Sequence, residues 1–555
     1  RNPLGCARGT YVFHAQELLL KETLKRAPEC FREKDVSLPQ LKASSDHKVF
    51  FKVPSEGWND EIPTPYAGTA KDSWDDAHVY MPYHENNRMP ENGHTCSRQE
   101  RIVQALTRPI PSSFELQDAI LSYNPHYRRR WNFDSLHQFF EESEHGGHIK
   151  DEFFTTILPE MQKLALRLSE LCPKAIPILK QRRNMKLTFS QEQVACLLAN
   201  AFFCTFPKRN FKSKHCLLPD INFSNLFSDS QNSRKVEKLA CIINYFQRVT
   251  SDMPKGTVTY ARQHVVPEHD WPKMDKKFSN LHVSTSGTIE DDGWGMLQAD
   301  FANKYVGGGV LGHGLVQEEI RFIICPEMIL SRLFTEALTD NEVLIMTGCL
   351  KICLHIGRHC DVPVYSGDYR DCPDRDEWGR RYTEVVAMDA LVFNKYNNGY
   401  KTQFEKDKIF RELNKAYCAF RGNQFTVHLP AVCTGNWGCG AFGGDKQLKA
   451  LLQWMAASAV DREVCYFTFG DTKLCDQLGQ LYHLFKENDI QVSHVLGFIK
   501  RFNDDLKNPD GEHRTLFQHI AKMIGAKLEE PNITEETGGQ DVSLDDSMEM
   551  IQDDE

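Results

Sequence analysis

The spacing of apolar and polar residues changes character near residue 255. Between about residues 100 and 250, apolar side chains recur at helical intervals. Ser190 and Gln193 form a capping box that predicts the start of one helix. Its apolar positions are Val194, Leu197, Leu198, Ala201 and Phe202. Similar stripes occupy 161–171 and 236–246, so this half is predicted to be an α-helical layer whose stripes face a core.

After residue 255, short apolar runs alternate with helical segments. The runs predicted as buried strands are 342–346, 384–388, 425–432 and 464–469. A helix is predicted over 446–459, between the last two runs, because its apolar residues fall on one face. This β-α-β pattern predicts an α/β fold with a largely parallel or mixed sheet flanked by helices. Ligands of such sheets bind at the carboxyl ends of the strands.

The composition divides the chain further. Residues 1–100 are rich in Pro, Gly, Asp and Asn, which predicts an irregular segment packed on the body. The next parts are a helical accessory domain at 101–254, a catalytic α/β domain at 255–526 and a tail at 527–555. The net charge is −10, yet the last 28 residues hold eleven acidic residues and no Lys or Arg. The body is therefore nearly neutral, and the tail is predicted to be disordered.

Several functional classes are excluded by these patterns. The longest apolar run, 194–206, is too short to cross a bilayer, so no membrane association is expected. The N-terminus has no charged segment followed by an apolar one and does not begin with Met, which is typical of a trimmed chain that has lost any targeting segment. The 18 cysteines are scattered, and many lie in apolar runs, which indicates a reducing compartment, nuclear or cytoplasmic.

Neither a metal site nor a nucleic-acid surface is predicted. Cysteines and histidines gather at 349–360, but without the paired spacing of a structural zinc site, so coincidence is the better interpretation. The basic clusters at 128–130 and 208–214 are short and are more often solvated faces than binding sites. No direct sequence-specific binding of nucleic acid is expected.

Two glycine-rich loops, 305–314 and 434–445, each follow a predicted strand. Glycine lets a backbone approach a ligand closely and turn its N–H groups toward phosphate oxygens. The second loop leads into the helix at Lys446, whose N-terminal amides favour an anion. Neither loop matches a P-loop or a dinucleotide fingerprint. Glycines that merely make turns are the alternative, but two such loops in one domain favour a diphosphate ligand.

Gln317, Glu318 and Glu319 follow the first loop, and the apolar run 320–324 after them is predicted to be a strand. Adjacent carboxylates beside a bound anion are electrostatically costly. The placement makes sense if one carboxyl must hold a proton and donate it, as glycoside hydrolysis requires. In a strand the two glutamates would point to opposite sides, so only one would be the acid. A solvated pair at a strand edge is the commoner alternative.

Longer motifs carry a family resemblance. The segment 300–309, DFANKYVGGG, and the segment 314–322, GLVQEEIRF, resemble the signature of the poly(ADP-ribose) glycohydrolases, a GGG loop followed by QEE. The segments 197–207, 412–418 and 466–471 and the loop around Asn436 resemble further blocks in the same order. The resemblance covers roughly residues 100–520 and implies an animal-type enzyme with a helical accessory domain and a macrodomain. Members of this family hydrolyse ribose–ribose O-glycosidic bonds and release ADP-ribose.

The resemblance assigns roles to individual residues. Glu319 would be the catalytic acid that later activates water, with Glu318 and Asn303 on ribose hydroxyls and Asp300 in support. Gln317 would complete the substrate-binding side of the motif. Loop contacts to the diphosphate and distal ribose would come from Gly308, Gly309, Asn436, Gly440, Ala441 and Phe442. Adenine would lie among Ile289, Glu290 and Phe469, although core packing is the alternative for Ile289 and Phe469.

The same resemblance implies no cofactor and no metal, and a monomer that acts on poly(ADP-ribose) and ADP-ribosylated proteins. One departure favours a rival interpretation. The family carries a tyrosine that covers the adenosine, but nearly gapless alignment places Arg358 at that position. Tyr365 or Tyr369 would replace it if the loop is rebuilt. A macrodomain that binds ADP-ribose without cleaving it is therefore the alternative function, and removal of single ADP-ribose units from proteins is a weaker one.

Overall fold

The computed structural model of the chain describes residues 28–32, 38–91, 93–208, 217–229, 233–266, 269–353, 356–359, 362–365, 369, 374–393, 399–422, 429–508 and 514–529. Up to residue 264 the elements are β1 (His47–Val49), β2 (Arg88–Glu91), β3 (His94–Ser97), α1 (Arg98–Leu106), α2 (Ser113–Ser122), α3 (Asp134–Glu142), α4 (Glu144–Glu152), α5 (Leu158–Leu166), α6 (Leu168–Leu171), β4 (Met185–Ser190), α7 (Gln191–Phe202), α8 (Ser224–Phe227), α9 (Ser233–Ser251) and β5 (Thr257–His264).

The remaining elements follow in chain order. They are β6 (Leu281–Ser284), α10 (Ile289–Asp292), β7 (Leu297–Ala302), α11 (Gln317–Ile324), β8 (Glu342–Thr347), β9 (Ile356–His359), β10 (Val362–Tyr365), β11 (Glu384–Asp389), α12 (Gly399–Thr402), α13 (Lys406–Phe420), β12 (Val432–Gly435), α14 (Lys446–Ala459), β13 (Val464–Phe467), α15 (Thr472–Glu487), α16 (Val492–Leu506) and α17 (Leu516–Ile524).

The chain forms two compact units. The larger unit comprises Ser37–His264 and Asp300–Met388, and the smaller unit comprises Arg1–Val36, Val265–Ala299 and Asp389–Glu555. The division falls within β7, after Ala299. The domain boundaries predicted at residues 254 and 526 separate continuous stretches of sequence, whereas each compact unit combines several stretches. Those boundaries stay predictions.

The larger unit contains the mixed part of the sheet. Its strands lie in the order β1, β4, β5, β8 and β11, with β1 parallel to β4 and the other neighbours antiparallel. The predicted capping box is present where β4 ends and α7 begins: the Gln193 amide donates to Ser190 Oγ at 3.2 Å, and the Ser190 amide donates to Gln193 Oε1 at 2.9 Å. Strand β1 was not predicted from the sequence, because residues 1–100 were expected to be irregular.

Helices α7 and α9 lie in the core of the larger unit. All residues of α7 except Glu192 are buried, including the polar Gln191, Gln193 and Asn200. Phe202 at its end packs edge-on against Phe227 and Phe246, with ring centroids 5.2 and 5.7 Å apart. The apolar stripes predicted at 161–171 and 236–246 belong to α5, α6 and α9 and face this core. The helical prediction for this region is confirmed.

The smaller unit contains a parallel sheet in the order β7, β12, β13 and β6. Strand β12, helix α14 and strand β13 form the predicted β-α-β unit, and α14 has the predicted bounds. Asp445 caps α14 by accepting a hydrogen bond from the Leu448 amide at 2.8 Å. The strand predicted over 425–432 begins at Val432 in the structure, and residues 423–428 lie outside the described residues. The α/β class is confirmed.

Two further expectations concern the acidic tail and a membrane span. The acidic tail from residue 530 onward lies outside the described residues, and so do residues 1–27 at the N-terminus. Over the part of the chain that the structure describes, no helix combines the length and the apolar character that a membrane span requires.

Candidate active site

Asp300 is fully buried in β7 of the larger unit. Neither of its carboxylate oxygens receives a hydrogen bond from any described residue. Burial raises the pKa of Asp300 well above its usual range, the positive charge of Arg321 opposes that rise, and the negative charge of Glu319 adds to it. A neutral, protonated carboxyl is the form that such a site favours.

Helix α11 presents both glutamates of the motif. Residues 320–324 were predicted to be a strand, and this prediction is wrong: α11 covers Gln317–Ile324. A short apolar run does not distinguish a buried strand from a buried helix, so the spacing alone was insufficient. The expectation that Glu318 and Glu319 point to opposite sides is wrong for the same reason. Both side chains are buried, at 2% and 5% exposure, and the glycine loop contacts both.

Glu318 is held by two backbone amides. The Gly307 amide donates to its Oε1 at 2.6 Å, and the Asn303 amide donates to its Oε2 at 2.8 Å. Burial raises the pKa of Glu318 well above its usual range, and the charges of Asp300 and Glu319 raise it further. Amide donors favour the charged form and oppose this rise. Glu318 and Asp300 thus both retain protons more readily than an exposed carboxyl.

Glu319 is also held at both oxygens. The Gly309 amide donates to Oε1 at 2.8 Å, and the Val316 amide, at the start of α11, donates to Oε2 at 2.9 Å. Gln317 and Asn303 organise the neighbouring backbone, since Gln317 Oε1 accepts from the Phe301 amide at 2.8 Å and Asn303 Oδ1 accepts from the Tyr305 amide at 2.9 Å. The structure therefore brings the motif residues together along residues 300–319. These are Asp300, Asn303, Gln317, Glu318 and Glu319.

The first loop does not present its amides in the expected way. The sequence predicted that they face a phosphate, but the Gly307 and Gly309 amides donate to the two glutamates and the Gly308 amide donates to the Tyr305 carbonyl. Gly308 has a φ of +45°, and a Cβ there would lie 2.4 Å from Glu319 Oε1. The loop needs glycine because the carboxylates lie against its backbone. Contacts of Gly308 and Gly309 with substrate stay a prediction.

Two buried cations bind the carbonyl side of this loop, and sequence reasoning missed both. Arg332 Nη1 donates to the carbonyls of Val306 and Gly308, at 3.2 and 2.9 Å. Lys238 Nζ donates to the carbonyls of Gly309, Val310 and Gly312, at 3.2, 3.1 and 2.8 Å. The available signal was that Lys238 lies on the apolar face of α9, about one helical turn before Ile242. A lysine in such a stripe is rarely buried without partners.

The second loop, in the smaller unit, differs from the first. The amides of Gly440, Ala441 and Phe442 donate no hydrogen bond to the residues that the structure describes, and Gly440 and Ala441 are exposed. They precede α14, whose N-terminal end carries partial positive charge. Asn436 is fixed by Tyr466, whose hydroxyl donates to Asn436 Oδ1 at 3.1 Å. This loop retains the donors that an anion would need.

The adenine candidates in the smaller unit have different environments. Ile289 is buried at the start of α10, as its alternative of core packing requires, and Glu290 beside it is half-buried. Phe469 is 48% exposed, so core packing is the wrong interpretation for that residue. Its backbone adopts a φ of +53°, which is unfavourable for a bulky residue. The exposed ring of Phe469 is therefore available to stack on a planar group.

The segment that departs from the family signature is described only in part. Strands β9 and β10 form an antiparallel hairpin in which Arg358 is paired with Pro363. The side chains of Arg358 and Tyr365 lie outside the described residues, as do His355 and Cys360 of the Cys/His cluster. Tyr369 is described, and Lys351 Nζ lies 4.3 Å from its ring centroid. Among described residues, no group of acidic, His or Cys side chains has the arrangement of a metal site.

Comparison with known proteins matches two families along the chain. The family described as "Poly (ADP-ribose) glycohydrolase (PARG), helical domain" matches residues 147–262, and the one described as "Poly (ADP-ribose) glycohydrolase (PARG), Macro domain fold" matches residues 268–476. These matches confirm the predicted helical domain and macrodomain fold. They contain every candidate site residue named above, from Lys238 to Phe469.

Three curated proteins are similar over much of this chain. "Poly(ADP-ribose) glycohydrolase 1" of Arabidopsis thaliana is 35% identical over 51% of the chain and 63% of its own length. "Probable poly(ADP-ribose) glycohydrolase 2" of the same plant is 31% identical over 57% of the chain and 72% of its own length. "Poly(ADP-ribose) glycohydrolase 2" of Caenorhabditis elegans is 32% identical over 61% of the chain and 68% of its own length. The chain thus spans less than two thirds of the first of these relatives.

Proposed function

The chain belongs to the poly(ADP-ribose) glycohydrolase family, and on that premise we propose that it hydrolyses the ribose–ribose O-glycosidic bonds of poly(ADP-ribose) and releases ADP-ribose. One observation carries the proposal. Glu318 and Glu319 are buried side by side and held by amides of the glycine loop. A protein that only binds its ligand has no need to bury adjacent carboxyls at this cost.

The reaction requires a proton for the leaving oxygen. The transition state of glycoside hydrolysis is oxocarbenium-like, so the departing oxygen must be protonated as the bond breaks. Burial raises the pKa of both Asp300 and Glu318 well above the usual range, so these two carboxyls beside Glu319 retain protons more readily than exposed ones. Enzymes commonly raise carboxyl pKa values in this way to run acid catalysis.

Glu319 is the proposed acid and base. In the first step its carboxyl gives a proton to the leaving ribose oxygen while the bond from that oxygen to the anomeric carbon breaks. In the second step water attacks the anomeric carbon and gives a proton to the Glu319 carboxylate, which restores the starting form. The amides of Gly309 and Val316 fix both oxygens of Glu319, so the side chain keeps one orientation through both steps.

The other residues serve substrate binding in this proposal. Glu318 and Asn303 hold ribose hydroxyls. Gln317 fixes the backbone at Phe301, and Asp300 helps to raise the pKa of Glu318. In the smaller unit, the amides of Gly440, Ala441 and Phe442 are suited to diphosphate oxygens. Asn436 stands beside them, and Ile289, Glu290 and Phe469 are the proposed adenine contacts.

Phe469 gives a direct test of adenine recognition. We expect Phe469→Ala to weaken binding of ADP-ribose about 10-fold, since stacking of a base on an aromatic ring contributes about 1–3 kcal/mol. The measurement is the Kd for ADP-ribose by calorimetry. Val392→Ala is the matched control, because Val392 is 53% exposed and belongs to the same unit. Equal Kd values for the two variants would exclude the stacking role.

A non-catalytic ADP-ribose-binding macrodomain is the second candidate, and Arg358 at the position of the family's tyrosine favours it. The two functions differ in one assay. Purified poly(ADP-ribose) is incubated with the chain without added metal, and products are separated by chromatography. Release of ADP-ribose supports the glycohydrolase, whereas binding of ADP-ribose without release of any product supports the binding module.

Cellular context follows from the substrate. We propose ADP-ribosylated proteins as partners and a nuclear or cytoplasmic location, where response to DNA damage generates the polymer. Several described cysteines, among them Cys172, Cys196 and Cys204, are buried free thiols, which agrees with the proposed reducing compartment. A monomer without direct nucleic-acid binding is proposed as the working state.

A further inference from the structure

Arg332 contacts the glycine loop at the two peptide groups that matter most for the glutamates. Its Nη1 donates to the carbonyls of Val306 and Gly308. The peptide group that begins with the Val306 carbonyl ends with the Gly307 amide, which donates to Glu318. The peptide group that begins with the Gly308 carbonyl ends with the Gly309 amide, which donates to Glu319. One guanidinium nitrogen is therefore linked to both glutamates through one peptide group each.

Lys238 continues this arrangement along the loop. Its ammonium donates to the next carbonyls, those of Gly309, Val310 and Gly312, and it is fully buried. Three carbonyl acceptors match the three donors of an ammonium group. The two cations thus donate to the carbonyls of the loop, while the two glutamates accept from its amides.

We propose that Arg332 and Lys238 are positioning residues, which fix and polarise the glycine loop so that its amides hold Glu318 and Glu319 in the geometry for proton transfer. Neither cation reaches the substrate in this role. Hydrogen bonds in a chain polarise one another, so the charge of Arg332 on the Val306 and Gly308 carbonyls strengthens the bonds that the Gly307 and Gly309 amides make to the glutamates. Lys238 acts differently: its carbonyls belong to the peptide groups after Gly309, so it fixes the course of the loop and does not polarise those two amides. The inference deepens the proposed function and rests on it for its kinetic tests.

Charges around Lys238 make its support of the glycine loop sensitive to pH. Burial lowers the pKa of Lys238 to about 7, Glu319 on α11 opposes the shift, and Lys235 and Arg234 on α9 and Arg332 beside the loop add to it. The protonated fraction therefore falls as the pH rises through about 7. Neutral Lys238 has two donors for three carbonyls, so the loop loses one contact and the nearby positive charge on the alkaline side.

Lys235 provides a matched control on the same helix. It is also buried, and its ammonium donates to the carbonyls of Asn225 and Ser228, at 2.8 and 3.0 Å, away from the glycine loop. Arg98 is the counterpart for Arg332. It is buried and donates to the carbonyls of Tyr123 and Thr205, at 2.9 and 2.8 Å. Removing Arg98 leaves carbonyls without donors but does not touch the loop. Removing Lys235 leaves the carbonyls of Asn225 and Ser228 without a donor and also removes a charge that lowers the pKa of Lys238, so this control is compared on the acid side of pH 7, where Lys238 is protonated.

The kinetic test compares Arg332→Met and Lys238→Met with Arg98→Met and Lys235→Met, all in the full chain. We expect the first two to lower kcat for ADP-ribose release about 10- to 100-fold, because misplacement of catalytic groups by about 1 Å costs up to 10²-fold. Their KM should change less than threefold. The controls should lose thermal stability while kcat stays within threefold of wild type. Equal losses of kcat in controls and test variants would overturn the positioning role.

The pH profile adds a readout that a purely structural role would not move. Wild-type kcat should fall as the pH rises through about 7, where Lys238 loses its proton. Lys238→Arg keeps a charge that does not titrate in this range, so its fall should begin at higher pH. It also serves if Lys238→Met does not fold. An unchanged alkaline limb in Lys238→Arg would overturn the assignment.

Amide hydrogen exchange separates this inference from the proposed function. The amides of Gly307, Gly309 and Val316 are bound to the glutamates, so they should exchange slowly in wild type and at least tenfold faster in Arg332→Met and Lys238→Met. This comparison needs no substrate. A wild-type chain that releases no ADP-ribose overturns the glycohydrolase proposal alone, while unchanged exchange in both variants overturns the positioning role alone.

Discussion

Glu319→Gln is expected to abolish release of ADP-ribose while leaving the chain folded. The substitution keeps the shape of the side chain and removes its ability to donate and accept the proton. General acid–base catalysis typically contributes about 10²–10⁴-fold, and both steps of the proposed reaction pass through this one carboxyl. We therefore expect kcat to fall by about 10³-fold or more. The measurement is the initial rate of ADP-ribose release from purified polymer.

The substitution also perturbs local hydrogen bonds, and a control must account for this. Both oxygens of Glu319 accept from amides, those of Gly309 and Val316, whereas a glutamine can accept at only one of its two ends. Glu327 is a matched case in the same unit. It is fully buried and accepts from the Leu350 amide at 2.7 Å and from Gln191 Nε2 at 2.8 Å. Glu327→Gln should lose similar stability and retain activity.

Two outcomes would count against Glu319 as the acid. Activity within tenfold of wild type in Glu319→Gln would show that another group supplies the proton. A loss that Glu327→Gln shares to the same degree would show that folding, not chemistry, was affected. Binding of ADP-ribose measured by calorimetry on the same samples distinguishes a damaged site from an intact one that lacks its acid.

The sequence predicted the regular elements of the macrodomain well, because each element has a local signal. Helix α14 follows from its apolar spacing behind a turn, and the cap at Asp445 is a finding of the structure. The capping box at Ser190 marks the start of α7 for a similar reason. In each case the local preference of the sequence agrees with the tertiary structure, as is usual for natural proteins.

The errors occur where tertiary contacts decide the local structure. Residues 320–324 of helix α11 were predicted as a strand because they are apolar apart from Arg321, and such a short run suits either element. The deciding contact, from the Val316 amide to the Glu319 carboxylate, closes the first turn of the helix. A carboxylate that reaches back to the amide before its own helix is an N-terminal stabilising interaction that the QEE motif alone does not reveal.

The carboxylates of the candidate site could be predicted from the sequence, but the cations that bind its glycine loop could not. Glu318, Glu319 and Asp300 were found because a family motif contains them. Arg332 and Lys238 come from segments distant in sequence, and their role depends on which carbonyls they meet after folding. The sequence also did not reveal that two amides of the first loop, whose glycines were assigned to phosphate, donate to the protein's own glutamates.

Gly308→Ala is expected to have the second largest effect, because a single methyl group would displace both glutamates. A Cβ at residue 308 would lie 2.4 Å from Glu319 Oε1 and 2.7 Å from Glu318 Oε2. Real Cβ atoms do not approach oxygen so closely, so the carboxylates must move by several tenths of an ångström or more. Misplacement of catalytic groups on this scale costs up to about 10²-fold in rate. We expect kcat/KM for ADP-ribose release to fall by about that factor.

Gly57→Ala separates this effect from backbone strain. Gly57 belongs to the same unit, has a φ of +89°, and a Cβ there would meet nothing within 4 Å. Both substitutions place alanine in the left-handed region, which costs roughly 1–2 kcal/mol, so both should lower the melting temperature by similar amounts. Only Gly308→Ala brings a methyl group against Glu318 and Glu319. If the two variants retain the same kcat/KM, close contact between the loop and the glutamates is not required for catalysis; a loss confined to Gly308→Ala means that the absence of a side chain at residue 308 sets the position of both carboxyls.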